Sequence, residues 1–431
     1  LSFPASFRNY NVDGNYKVYD KSVQLDYLTK GRPPLEKKLA MDERTRAYLV
    51  SKFQEYYSQA ELTLPPDFTS REWGFIEFTS GQDTFMKRHR GFGSKGELYD
   101  YMRGIAPAHA YHSVAYYEYP GAPKMNEKNW LKADLIFDID SDHLPGSINS
   151  YGDMLEKGKR ETLKLLDFLR DDFGFDESAI HAVFSGGRGY HFHISDPSVL
   201  SLKSPERREI VDYVSSKGLD LERMFSKKEI SGDAGTESAK ISVFPSENEG
   251  GWGGRINKHL ISYLSSIAGH EDGLDILKGF KGIGEKTALN LISIFKNEAK
   301  VDALKQGNMS GLSGIKKDVL AAIVKQGVEE MAACVDEPVT ADIKRLIRLP
   351  GSLHGKSGMK VTALSIDELE KFEPLTDAVV FGDKSVKLKV MKPFAVQMKG
   401  NDFFVEEGVQ EVPEYVAVYL MCRGVAEYGS N

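Results

Sequence analysis

The sequence predicts an α+β protein, with mixed sheets flanked by helices and a helical insertion. Three observations carry this. Apolar residues alternate with acids along Leu135–Asp140 (LIFDID), the period of a half-buried strand. Apolar residues recur every three or four positions in Met41–Leu62 and again in Met154–Phe173, the period of amphipathic helices. Residues 257–332 then change character to short helices, small residues and turns.

Residues 1–40 are rich in Tyr, Asn, Lys and Gly, carry GRPP at Gly31–Pro34, show no sustained period and contain no Met before Met41. They are expected to be a leader or an extra N-terminal arm. From Met41, Tyr48, Leu49, Phe53, Tyr56 and Tyr57 mark one helix face. Strand-like WGFIEF (Trp73–Phe78) follows, then basic FMKRHRGF (Phe85–Phe92) and a helix near Lys95–Ile105. Tyr111–Pro120 and the acidic run read as strands. In the Met154–Phe173 helix, Leu155, Leu163, Leu165, Leu166, Phe168 and Leu169 lie among charges. HAVFSGGRGYHFHI (His181–Ile194) reads as a hairpin about a Gly-rich turn. Residues 205–226 look helical, and 231–256 look like loops ending in GWGGRI. After the insertion, strands are expected near KVTALSI, VKLKVM and FFVEEG, and a last helix near Pro413. The body is thus divided into 41–256 and 333–431, on either side of 257–332.

A chain of 431 residues suffices for one large domain or two to three ordinary ones. Hydrophobic content of 41% and charged content of 28% are ordinary for a soluble globular protein. No apolar run is long enough to span a membrane, and the start lacks a basic-then-apolar secretory pattern. The two cysteines, Cys334 and Cys422, are too few for a disulfide framework or a thiolate zinc site. A reducing, cytoplasmic setting is expected. A net charge of −7 argues against a surface coated in nucleic-acid-binding charge, yet leaves a local basic cleft open.

On a strand, Asp134, Asp138, Asp140 and Asp142 share one face while Leu135, Phe137 and Ile139 point to the other. Such acids repel one another. Carboxylates two residues apart can grip divalent cations, which take oxygen ligands and assist phosphoryl transfer. The other reading is a solvated acidic edge, but the apolar support from Leu135, Ile136, Phe137 and Ile139 favours metal. In Phe184–Ile194, Gly186, Gly187 and Gly189 permit close approach of backbone amides to an anion. Arg188 offers a planar fork for phosphate. Ser185 adds a hydroxyl, and His191 and His193 share a face. This suits a phosphate cradle, against the simpler reading of a plain turn.

Val335–Gly358 (VDEPVTADIKRLIRLPGSLHGKSG) places Asp336, Glu337 and Asp342 ahead of Lys344, Arg345, Arg348, His354 and Lys356. Acids for a cation followed by bases for phosphates suit a metal–triphosphate site. A solvated amphipathic helix stopped by Pro350 is the alternative. In Phe85–Phe92, Arg88, His89 and Arg90 between aromatics suit a nucleotide or a nucleic-acid backbone, or else form a solvated basic turn.

Together and in this order, these strings resemble the catalytic small subunit of the archaeo-eukaryotic DNA primase family, in its archaeal form. The resemblance rests on YYSQAELTLPPDFTSREWGFIEF, MKRHRGF, HSVAYYEYP, ADLIFDIDSDH, VFSGGRGYHFHI, GWGGRI, DEPVTADIKRLIRLPGSLHGKSG and VPEYVAVYLMCRGVAEYG, from about Met41 to Gly429. It implies the primase catalytic-core fold. It implies that Asp138, Asp140 and Asp336 hold Mg²⁺ or Mn²⁺. It implies that Ser185, Gly186, Arg188, His191, Arg348 and His354 hold the nucleotide's phosphates, with Arg88 and Glu72 completing the pocket. The implied reaction is template-directed synthesis of short primers from nucleoside triphosphates on single-stranded DNA, with a primase large subunit as partner. A primase-like repair or translesion polymerase, or a non-catalytic nucleic-acid-binding subunit, are the alternatives. Family members commonly carry a zinc knuckle between the acid strand and the Gly-rich turn. Residues 141–180 contain no cysteine and only His143, so no structural zinc of that kind is expected.

Within the insertion, Lys278–Ile292 (KGFKGIGEKTALNLI) resembles a helix–hairpin–helix, with a weaker copy at Gly311–Ile323 (GLSGIKKDVLAAI). Gly282, Gly284 and Lys286 would meet a DNA phosphate there. A helical packing module with small-residue turns is the alternative.

Overall fold

The computed structural model describes residues 41–80, 85–144, 150–230, 239–312 and 314–429; the expected N-terminal arm, 1–40, lies outside them. The chain is α+β and divides into two compact units. The first takes the described residues up to Leu163, Asp176–Arg208 and from Cys334 onward; the second takes Lys164–Phe175 and Glu209–Ala333.

The first unit opens with the helix Glu43–Gln59, whose first turn is capped by the Asp42 carboxylate accepting from Thr45 N at 2.7 Å. Its strands are β1 (Trp73–Ile76), β2 (Met86–Arg90), β3 (His109–Ser113), β4 (Ala115–Tyr117), β5 (Trp130–Ala133), β6 (Leu135–Asp140), β7 (Ile180–Phe184) and β8 (Gly189–Ile194). The second unit holds the β9 (Ser226–Ile230) and β10 (Ala239–Val243) pair. Back in the first come β11 (Leu346–Arg348), β12 (Thr362–Leu364), β13 (Ser385–Val390), β14 (Phe394–Met398), β15 (Asn401–Val405), β16 (Gly408–Pro413) and β17 (Ala426–Tyr428).

Two four-stranded sheets, ordered β11-β3-β1-β2 and β12-β7-β8-β6, carry the site. A third sheet, β16-β13-β17, packs with the wholly buried helix Glu414–Cys422 and the opening helix. Leu49, Phe53, Trp73, Phe75, Leu388 and Val416 to Met421 fill this core and fix the sheets from behind. Bonds from Asp134 N to Val114 O (3.0 Å) and from Val114 N to Arg345 O (2.9 Å) tie the two four-stranded sheets together beside the site.

In the second unit the helix Gly251–Gly269 buries Trp252, Ile256, Leu260 and Leu264 among shorter helices. GWGGRI, expected as the end of a loop, is its first turn. Trp252 Nε1 donates to Tyr213 O at 2.8 Å and Arg255 Nε meets Asp172 at 2.8 Å, anchors that local glycine content conceals. The helical unit therefore starts well before residue 257. A second finding concerns Ala341–Pro350, where a helix stopped by Pro350 is one of the two sequence readings. The helix is Glu337–Ala341, and Leu346–Arg348 is strand β11, paired antiparallel to β3. Sheet pairing overrides the local helical period there. Among the described residues no helix is long and apolar enough to cross a membrane.

Candidate active site

Strand β6 pairs antiparallel with β8, setting Asp138 opposite His191 and Asp140 opposite Gly189. Leu135, Ile136, Phe137 and Ile139 are all buried, so the strand is anchored on both faces at its start and opens at its end. The acids divide accordingly. Asp134 is not solvated: it is buried against Arg71 (Nη2 to Oδ2 2.7 Å) and accepts from Tyr116 OH at 2.9 Å and Ser195 Oγ at 3.1 Å. Arg71 also donates to Val114 O at 2.7 Å and stacks on the Tyr116 ring. Asp142 pairs with Arg188. Asp138 and Asp140 remain to line a cleft of about 490 Å³.

Asp336 arrives as the residue capping the Glu337–Ala341 helix, and its N–H donates to Asp138 O at 2.9 Å. The third acid lining the cleft is Asp342, not Asp336. Among the described residues, no three acids, histidines or cysteines are gathered closely enough to hold a metal ion. Asp138 and Asp140 nonetheless supply what Mg²⁺ or Mn²⁺ takes, oxygen donors side by side at an open cleft.

The same cleft is lined by Arg88, Arg188, Lys344, Arg345 and Arg348. They come from three places: β2, the Gly-rich turn, and β11 with the turn before it. On β2, an extra residue relative to β1 makes a bulge between Lys87 and Arg90, with His89 at φ +63°. The bulge turns Arg88 inward, where Glu72 accepts from its Nε at 2.9 Å and from His89 N at 3.2 Å. Glu72 is fully buried, with Lys128 Nζ 3.8 Å away. It does not line the cleft, and what it holds there is Arg88.

Arg348 on β11 faces Tyr111 on β3. Its Nη1 donates to His109 Nδ1 at 2.7 Å, and Gly355 N donates to the same nitrogen at 3.2 Å, so Nδ1 accepts and the ring proton sits on Nε2. Burial draws the Arg348 pKa down, opposed by Tyr111 and by the charges of Asp138 and Asp140. The His109 ring meets the His354 ring edge-on at 4.9 Å. Burial, reinforced by Arg348, holds His354 well below the usual imidazole range. His191, 3.3 Å from Asp138, is lowered to about 3 by burial and then by Arg348 and Arg345. Both imidazoles are neutral near pH 7.

The Gly-rich turn departs from the expected open cradle. Ser185 N donates to Gly189 O at 2.9 Å, and Ser185 Oγ accepts from Gly187 N (3.4 Å) and Gly189 N (3.2 Å). Those amides staple the turn from inside and are spent before an anion arrives. Gly186, at φ +73°, is needed for packing: a Cβ there would lie 2.7 Å from His354 Cβ. Gly186 and Gly187 do not line the cleft, whereas Ser185, Arg188 and His191 do. At this turn the groups that reach the cleft are thus side chains.

In the helical unit, Ile283 is buried beneath the turn, Gly282 has φ +90°, Gly284 precedes the helix Glu285–Phe295, and Lys286 is exposed in its first turn. The turn joins the helices Gly273–Lys278 and Glu285–Phe295. Sequence reasoning missed His109, Tyr111 and Lys128. His109 and Tyr111 alternate on β3, but nothing local says which strand face meets Arg348.

A family model described as DNA primase small subunit matches residues 137–365. The DNA primase small subunit PriS of Methanococcoides burtonii is 62% identical over 389 residues, covering 90% of this chain and 100% of that protein. That of Methanosarcina barkeri is 52% identical over 405 residues, covering 90% and 98%. That of Haloarcula marismortui is 40% identical over 398 residues, covering 91% and 100%.

Proposed function

Because the chain belongs to the DNA primase small-subunit family, we propose that it catalyses template-directed nucleotidyl transfer. It would build short primers from nucleoside triphosphates on single-stranded DNA, paired with a primase large subunit. The observation that carries this reading is one cleft lined by Asp138 and Asp140 together with five cations, Arg88, Arg188, Lys344, Arg345 and Arg348. Carboxylates alone would repel a triphosphate, and cations alone would only bind one. The two sets together suit a phosphate that must be held and also attacked.

Asp138 and Asp140 would hold Mg²⁺ or Mn²⁺, with Asp336 reaching the same strand end. When bound, the cation neutralises phosphate charge and favours the attacking oxygen's deprotonated form. The chain's own groups position the rest. Arg348, fixed by His109, presents its guanidinium to the phosphates, and Arg88, fixed by Glu72, does so from β2. Neutral His191 packs against Asp138 without adding a proton to the cleft. In the reaction a primer 3′-oxygen bonds to the α-phosphorus, the bond to the β-phosphate oxygen breaks, and pyrophosphate leaves with its charge on these cations.

The test is synthesis on a circular single-stranded template with and without an annealed oligonucleotide. Labelled product without the oligonucleotide supports priming. Product only from the annealed 3′ end favours the repair or translesion alternative, and product in neither case rejects a catalytic role.

A further inference from the structure

Strand β2 separates the catalytic cleft from a second groove of about 530 Å³. Met86 and Arg88 line the cleft, whereas His89 and Arg90 line the groove, so the bulge sends neighbouring cations to opposite sides. β2 lies at the edge of its sheet, and its residues are exposed or half-exposed throughout its MKRHR sequence. Phe85, just before it, is 74% exposed. Arg90 stands 4.8 Å above the Tyr101 ring and makes no ion pair among the described residues. The acid on the rim, Glu97, turns back to accept from Gly93 N at 2.9 Å.

Two glycines line the groove beside Phe92 and Tyr101. Gly91 and Gly121 meet there, and a Cβ on Gly121 would come no closer than 3.5 Å to Gly91 N. Gly121 does not have a left-handed φ, so the backbone tolerates a larger side chain there, which would narrow the groove. A guanidinium, the Phe92 and Tyr101 rings and two glycines that leave room suit an unpaired nucleotide's phosphate, base and sugar.

We propose that the single-stranded template runs along β2 and through this groove, its phosphates on Arg90 and a base against the Arg90 guanidinium. One strand's width, roughly 5 Å, then separates the track from the nucleotide cleft. That the strand is a template rests on the catalytic reading above; that the groove binds single strands is tested separately.

The full chain and its variants Arg90→Gln, Gly121→Val and the exposed control Lys371→Gln are titrated into a fluorescein-labelled oligothymidylate, followed by anisotropy at several salt concentrations. Triphosphate binding is measured in parallel and reports on the cleft and on folding. Arg90→Gln is expected to weaken oligothymidylate binding at least about threefold and to reduce the slope of log affinity against log salt by about 0.7. Gly121→Val is expected to weaken binding with the slope unchanged. Lys371→Gln should match the wild type, and all three should bind triphosphate normally. Wild-type affinity and slope in both groove variants would overturn the proposal. So would losses matched by triphosphate binding, which would assign the effect to the cleft.

Discussion

Arg348 donates to His109, stands 5.1 Å from the Tyr111 ring and feels two carboxylates across the cleft, so its guanidinium is oriented before any phosphate arrives. Lysine keeps the charge but loses the planar fork. Arg348→Lys is expected to raise the KM for nucleoside triphosphate on the order of tenfold, with a smaller change in kcat. Steady-state incorporation checks this; an unchanged KM would remove Arg348 from phosphate binding. Asp134 makes the opposite prediction. Its ion pair with Arg71 is buried, and breaking such a pair costs about 3–5 kcal/mol. Asp134→Ala should lower stability to denaturant by that order while sparing triphosphate affinity in the folded fraction. At this scale the acidic strand was legible in part. Residue type and period locate Asp138 and Asp140, but Asp134 looks identical to them in sequence. Its partner Arg71 comes from another segment, and only packing distinguishes the two roles.

Elements explain what residues alone do not. The alternation of β6, the hairpin of β7 and β8, and the helix Lys95–Ile105 are all readable because their patterns are local. Strand β11 was not, since RLIRLP gains its strand character from pairing with β3. The Gly-rich turn was readable as a turn, but the direction of its amides was not, because Ser185 Oγ consumes them from within. The same sheets carry a pH signature. His112 on β3 and His193 on β8 lie with ring centroids 6.0 Å apart, and burial holds both well below the ordinary imidazole range. Arg71 and His193 add to the effect at His112, and His191, His181 and Arg71 at His193. Above the unfolded value near 6.5 both states are neutral at these positions and nothing is lost. Below it the unfolded chain takes up protons that the folded chain refuses. Stability should therefore fall as pH drops through 6.5, by about 1.4 kcal/mol per group per pH unit. Denaturation midpoints from pH 7.5 to 5 check this, and His112→Asn should flatten the slope unless the substitution itself unfolds the sheet.

On the scale of the whole molecule, the cleft draws on segments from Arg88 to His354, and each unit keeps its own core. The helical insertion was legible from its change in composition. Its limits were not, because Lys164–Phe175 and Glu209–Gly250 join it through contacts such as Arg255 with Asp172 that no local pattern records. The central claim is that Asp138 and Asp140 make this cleft a nucleotidyl-transfer site. The most direct measurement is labelled-primer synthesis on single-stranded template with Mg²⁺ or Mn²⁺, comparing the wild type with Asp138→Ala combined with Asp140→Ala. Loss of product by a factor on the order of 10³ or more, with the variant still folded by circular dichroism, is the predicted result. Equal synthesis by both proteins would contradict it.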